Sequence, residues 1–178
     1  MNSGQTLLTL GAFVLLMTML TNFWQLLALS GTNMNQSEAD IAEVALATSY
    51  NQFAQGLCYD EATIDSFMTT ATMGTLTAVS RLGVDNPPPS GEPTEASMTS
   101  FDDFDDFNNY QLDDSSLIGS VGVFHSNFKV YYVSPTDLNS VSTTPTFVKR
   151  MDVTIYRTVP PSKDTLRTSF TLGYFHFD

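Results

Sequence analysis

One uninterrupted apolar run dominates the start of this chain. Thr6 to Ser30, TLLTLGAFVLLMTMLTNFWQLLALS, carries no charged side chain. The first charged residue is Glu38 and the first basic one is Arg81. A helix crosses a bilayer with about 20 apolar residues, so this run is long enough to span one. The pattern then changes. Gly31-Thr32-Asn33-Met34-Asn35 joins a glycine to turn-forming asparagines and predicts a break or a weak point. A second helix is expected to begin at Asn35, with Glu38 as its capping partner. Beyond it, Leu46, Tyr50, Phe53 and Leu57 recur at spacings of 4, 3 and 4, and Ile41 and Val44 form an adjacent stripe. That is an amphipathic helix with one buried face.

The last third of the chain switches to period two. Phe128, Val130 and Tyr132 alternate with Lys129 and Tyr131 within Val121 to Val133. Thr146 to Thr158 contains Val153 and Ile155 with Lys149, Arg150 and Arg157, and Thr165 to Phe177 alternates Leu166, Thr168 and Phe170. Turn clusters, SPTDLNSVSTTP and VPPSKD, separate the runs. β-Branched and aromatic residues in this arrangement predict antiparallel strands with one face toward a core. The stretch from Asp60 to Arg81, rich in Thr, Ala and Met, reads as mixed. Asn86 to Pro93, NPPPSGEP, reads as a surface loop, because successive prolines lack backbone donors.

The expected fold class is therefore α+β: a long N-terminal hydrophobic helix packed on a C-terminal antiparallel sheet domain. The helical part is 1–58, divided into an apolar half, 1–30, and an amphipathic half, 35–58. The β-rich head is 59–178. Composition refines this picture. The formal net charge of −12 disfavours nucleic acid and anionic lipid as partners. Residues 1–115 hold 15 acidic and one basic side chain, while 116–178 hold four acidic and six basic, so the two regions can pair within or between subunits. Cys58 is the lone cysteine, and the two histidines, His125 and His176, stand in strand-like segments beside aromatics. One cysteine and two isolated histidines do not make a zinc site of about four such ligands. No phosphate-binding glycine loop, metal-ligand spacing or nucleophile elbow is present, so the expectation is that the chain is not an enzyme.

One motif invites a ligand. In FDDFDDFNNYQLDD, residues 101–114, Phe101, Phe104, Phe107 and Tyr110 recur every three residues. A period near three suits a 3₁₀ or loose helical turn, with rings against the core and carboxylates crowded outside. Asp102, Asp103, Asp105 and Asp106 repel one another unless neutralised. Calcium, which takes six to eight oxygens, is the candidate metal at these four residues, although the spacing is not that of an EF-hand. A basic neighbour, Lys149, Arg150 or Arg157, is the preferred partner, and a solvated turn is the third reading.

For the apolar run, three readings compete. A cleaved signal would have a basic start and a core of about 7–15 residues, and neither is found here. A membrane anchor fits the length, but no flanking lysine or arginine orients it. A helix packed in a filament core fits the polar residues Thr18, Thr21, Asn22 and Gln25, which share one face. Such groups are costly in lipid and useful between helices. Gly4-Gln5-Thr6-Leu7-Leu8-Thr9 resembles the prepilin signature of type IV pilins and pseudopilins, which reads glycine, phenylalanine, threonine, leucine, isoleucine, glutamate. Gln5 replaces the phenylalanine and Thr9 the glutamate, and the leader, Met1-Asn2-Ser3, lacks basic residues. A second register starts the mature chain at Met1 and puts Gln5 at the glutamate position. The acidic run also looks like an aspartate-rich segment of some bacterial prepilin-type proteins.

The resemblance implies a helix-first, sheet-last fold and a structural subunit of an extracellular type IV pilus-like filament. Its partners would be copies of itself in a helical homopolymer, and it would insert in the cytoplasmic membrane before assembly. A membrane-tethered minor pseudopilin or binding module of a secretion system is the alternative.

Overall fold

The computed structural model describes residues 3–64, 66–85, 94–115, 121–162 and 164–175. The expected loop at 86–93, together with His176 and Phe177, lies outside them. One helix, α1, runs from Ser3 to Gln55. Five strands follow: β1 (Gln111–Asp114), β2 (Val123–Ser134), β3 (Asp137–Val141), β4 (Val148–Val159) and β5 (Leu166–Gly173). They form one antiparallel sheet in the order β1-β2-β4-β5, and β3 pairs with the far end of β2. The α+β class read from the sequence is the observed one. The chain forms two compact units, Met1–Asp40 and Ile41–Asp178.

Of the break or weak point expected at Gly31–Asn35, the break does not occur, because α1 is helical throughout that segment. A helix-interior glycine costs only about 1 kcal/mol, which weakens a helix without ending it. Thr32 bonds back to the Leu29 carbonyl at 2.8 Å, and Gln36 reaches Asp40 at 2.9 Å, so the polar groups here are used inside the helix. The helix ends at Gly56, where Gly56 N donates to Phe53 O and Leu57 N to Ala54 O in the tighter bonding of a closing turn.

In the second unit, the inward face of α1 consists of Ala42, Glu43, Leu46, Ala47, Tyr50 and Ala54, with Phe53 half-buried. Leu46 and Tyr50 were expected there. Ile41 and Val44, read as part of the buried face, are instead 70 % and 55 % exposed. Ala42, Ala47 and Ala54 share this face with Leu46 and Tyr50, and Tyr50 sets its ring edge-on to Phe128 at 5.0 Å.

Period two holds in the long strands. β2 buries Phe124, Ser126, Phe128, Val130 and Tyr132, and β4 buries Lys149, Met151, Val153, Ile155 and Arg157. β5 keeps Leu166, Thr168 and Phe170 on its less exposed side. Two short strands were not expected. β1 grows out of the end of the acidic run, and β3 lies inside the SPTDLNSVSTTP cluster read as a turn. Every β3 residue is exposed, so no hydrophobic alternation marks it. The Asp60–Arg81 stretch folds as three 3₁₀ turns, Glu61–Thr63, Thr70–Thr75 and Val79–Arg81. Its threonines cap these turns rather than line a strand.

Candidate functional site

Two features of the molecule have chemical consequences. The first is the apolar half of α1. Every residue from Ser3 to Ser30 is exposed within this chain, including Leu8 (76 %), Leu20 (52 %) and Trp24 (64 %). The segment is long and apolar enough to cross a membrane. At a rise of about 1.5 Å per residue, Thr6 to Leu29 spans about 36 Å, slightly more than the roughly 30 Å hydrocarbon layer. The hydroxyls of its polar stripe are satisfied internally: Thr18 bonds the Leu15 carbonyl and Thr21 the Met17 carbonyl, both at 2.8 Å. The two threonines are therefore tolerable in lipid, contrary to the sequence argument. Among the described residues, Asn22 and Gln25, one turn apart, make no side-chain hydrogen bond. Their amides carry the polar character of that face.

The second feature is the acidic turn. After α1 ends, Cys58 N donates to Asp102 O at 3.0 Å, and Phe104 N donates to Cys58 O at 2.9 Å. This short parallel bridge sets Tyr59 and Asp60 beside the turn. Phe107 is fully buried, edge-on to Phe101 at 5.2 Å and tilted against Phe128 at 5.1 Å. The rings anchor a 3₁₀ turn, Asp105–Phe107, as the period of three predicted. The carboxylates do not crowd outside, however. Asp103, Asp105 and Asp106 are all buried, and Asp102 is partly buried. Backbone donors make this tolerable. Asp103 Oδ1 accepts from Asp105 N (2.7 Å) and Asp106 N (3.3 Å), and Asp106 Oδ2 accepts from Asp102 N and Asp103 N, both at 3.2 Å.

The turn divides its carboxylates between two neighbourhoods. Asp105 faces Lys149, which is completely buried near the start of β4. The ammonium of Lys149 donates to Tyr59 O (2.7 Å), to Asp60 Oδ2 (2.8 Å) and to Asp105 Oδ1. It lies 4.7 Å from the ring centroid of Tyr59 and 5.2 Å from that of Tyr132. Asp60 also accepts from the Tyr132 hydroxyl (2.8 Å), the Ala62 amide (3.2 Å) and both the amide and hydroxyl of Thr77 (3.1 Å). Burial pushes the Asp60 carboxyl up, but the Lys149 charge and these donors outweigh it and hold Asp60 below its ordinary value. Burial, reinforced by the Asp105 charge, pushes Asp103 up to about 9, so Asp103 keeps its proton at neutral pH and hydrogen-bonds the Asp105 carboxyl. Burial alone would lower Lys149, but the charges of Asp105 and Asp60, joined by Asp103 once it ionises, more than reverse this and raise it.

Asp106 and Asp102 turn the other way, toward Glu95. Each of these three residues places a carboxylate oxygen within 4.8 Å of the other two. Glu95 accepts from Asp85 N at 2.9 Å and hydrogen-bonds Asp106. Burial raises Glu95 to about 8 and Asp106 to about 6. A shared proton suffices to neutralise this pair.

Of the basic residues proposed as partners, Lys149 meets the turn. Arg150 pairs instead with Asp152 at 3.1 Å, and Arg157 donates to Val121 O. Asp60 and Glu95 were not foreseen. No pattern marks them: Asp60 lies 89 residues from Lys149, and Glu95 stands outside the acidic run that it meets. Lys149 had a readable signal, because it stands in phase with Met151, Val153 and Ile155. His125 bonds Asp113 at 2.7 Å at the sheet surface. Comparison with known protein families, curated proteins and solved structures finds no match.

Proposed function

We propose that this chain is a structural subunit of an extracellular, type IV pilus-like filament, assembled through the apolar half of α1 after residence in the cytoplasmic membrane. One observation carries the reading: a helix with no buried side chain from Ser3 to Ser30, continuous with a helix whose inward face is built into a soluble acidic sheet domain. Apolar surface of this extent must be covered. Lipid covers it in a membrane, and identical helices cover it in a fibre. The Asn22 and Gln25 amides, without a side-chain partner among the described residues, favour the fibre, since hydrocarbon offers them none and a neighbouring helix does. Helix-first, sheet-last order and the resemblance of Gly4–Thr9 to the prepilin signature support the same assignment. The experiment is electron microscopy of the native cell surface with an antibody against the head. Labelled fibres are the expected result. Label confined to membrane with no fibres would replace this reading with a tethered minor subunit or binding module.

A further inference from the structure

We propose that Lys149 and Asp105 condense to an intramolecular isopeptide bond, with Asp60 and Asp103 as the residues that move the protons. The assignment rests on four groups brought into one dry site from three separate stretches of chain. Lys149 comes from the central strand β4, Asp105 and Asp103 from the acidic turn, and Asp60 from the segment after α1. All four are buried. The Lys149 amine touches the carboxylate of Asp105 and holds Asp60 on another side at 2.8 Å. Asp103 hydrogen-bonds the carboxyl of Asp105 that would be attacked. The rings of Tyr59 and Tyr132 close the site around the amine.

The chemistry needs a neutral amine, a polarised carboxyl carbon and exclusion of water. Asp60 takes one proton from the ammonium. Asp103, which retains its proton at neutral pH, donates toward Asp105 and makes its Cγ more electrophilic. The Nζ lone pair then attacks Cγ, and a bond forms between Nζ and Cγ. One Cγ–O bond of Asp105 breaks, and that oxygen leaves as water with two protons that began on the ammonium and pass through Asp60 and Asp103. Nothing is oxidised or reduced, and no co-reactant is required. Within this site the ammonium is favoured over the neutral amine. Proton transfer from Lys149 to an adjacent carboxylate nevertheless leaves the net charge unchanged. The amide need form only once per molecule, so a minor population of neutral amine is sufficient. Fixed contact between the reacting groups supplies the entropic advantage, and burial of the site limits the access of water for the reverse hydrolysis.

The test is peptide mapping by mass spectrometry of the folded full-length chain, reduced and denatured before digestion. The expected result is a joined pair of peptides containing Lys149 and Asp105, lighter by one water than their sum. Lys149→Arg and Asp105→Ala should each return separate, unmodified peptides. Asp105→Asn keeps the shape of the site and should give the same link with loss of ammonia instead of water. Asp103→Ala should lower the linked fraction while leaving the circular dichroism spectrum unchanged. Recovery of free, unmodified Lys149 and Asp105 peptides from the folded protein would overturn the proposal. So would an Asp105 peptide that has lost water without being joined to Lys149, because that is a cyclic imide.

Discussion

Lys149 shows how one side chain organises a core. It projects from the inward face of β4, directly across from Tyr132 on β2 and Leu172 on β5. A buried cation is expensive alone and tolerable when surrounded by carboxylates and a carbonyl. Lys149→Met keeps the volume but removes from Asp60 and Asp105 the nitrogen that they hold, whether as an ammonium or as the proposed amide. The expected loss is about 3–5 kcal/mol, read as a lower urea midpoint. An unchanged midpoint would mean that the Asp60 site is satisfied without Lys149. The Glu95–Asp106 pair makes a prediction of opposite chemistry. Their folded pKa values, about 8 and about 6, lie above the ordinary carboxyl values, so the native state binds more protons than the unfolded chain. Their stabilising contribution is complete below the ordinary carboxyl range and is lost as pH rises through about 6 and then about 8. Thermal melts should show this decline, and Glu95→Gln should flatten its upper part. With a proton as the neutralising partner, a calcium chelator at neutral pH should leave the melting temperature unchanged. A fall reversed by added calcium would assign Glu95, Asp102 and Asp106 to a metal.

The acidic turn acts as an element because its aromatic residues are pinned. Phe107, at 0 % exposure, is the pin. Phe107→Ala should lower stability by about 3–5 kcal/mol in chemical denaturation, the range for deleting a buried ring. Phe67, 97 % exposed, provides the control, and its replacement by alanine should be neutral. At the start of β2, Gly122 has φ +142° and lies against Val159 O, where a Cβ would stand only 2.0 Å from that oxygen. Gly122→Ala therefore combines an unfavourable backbone angle with a clash against backbone. A loss of at least about 1–3 kcal/mol is expected, and a neutral urea melt would show that the β2–β4 end can separate freely.

The whole molecule couples an acidic head to an apolar helix, and that combination sets its behaviour. Leu20 is near the middle of the uncovered run. If the chain assembles as proposed, Leu20→Asp should abolish fibres, since a charge among apolar helices costs several kcal/mol, on the order of a broken buried pair. Head folding should be unaffected, because Leu20 lies outside the compact unit Ile41–Asp178. Normal fibres from this variant, counted by electron microscopy, would remove the first half of α1 from the assembly contact.

Local pattern alone determined the α+β class, the three long strands, the apolar span and the aromatic period of the acidic turn. Each depends on residues a few positions apart, where helix and strand geometry dictate which side chains share a face. The continuity of α1 through Gly31–Asn35 was not legible in this way, because weak helix formers lower the stability of a helix without specifying its end. Nor was the exposure of Ile41 and Val44, since two apolar stripes compete on one helix and only the sheet decides which is covered. The same holds for the site. Parity along β4 placed Lys149 with Met151, Val153 and Ile155, but a lysine in an inward register gives no indication of its partner. Asp60 and Asp105 lie 89 and 44 residues from Lys149 along the chain. Only tertiary structure could bring them to one ammonium, because burial leaves a charge no solvent to turn to and contact with distant carboxylates takes its place.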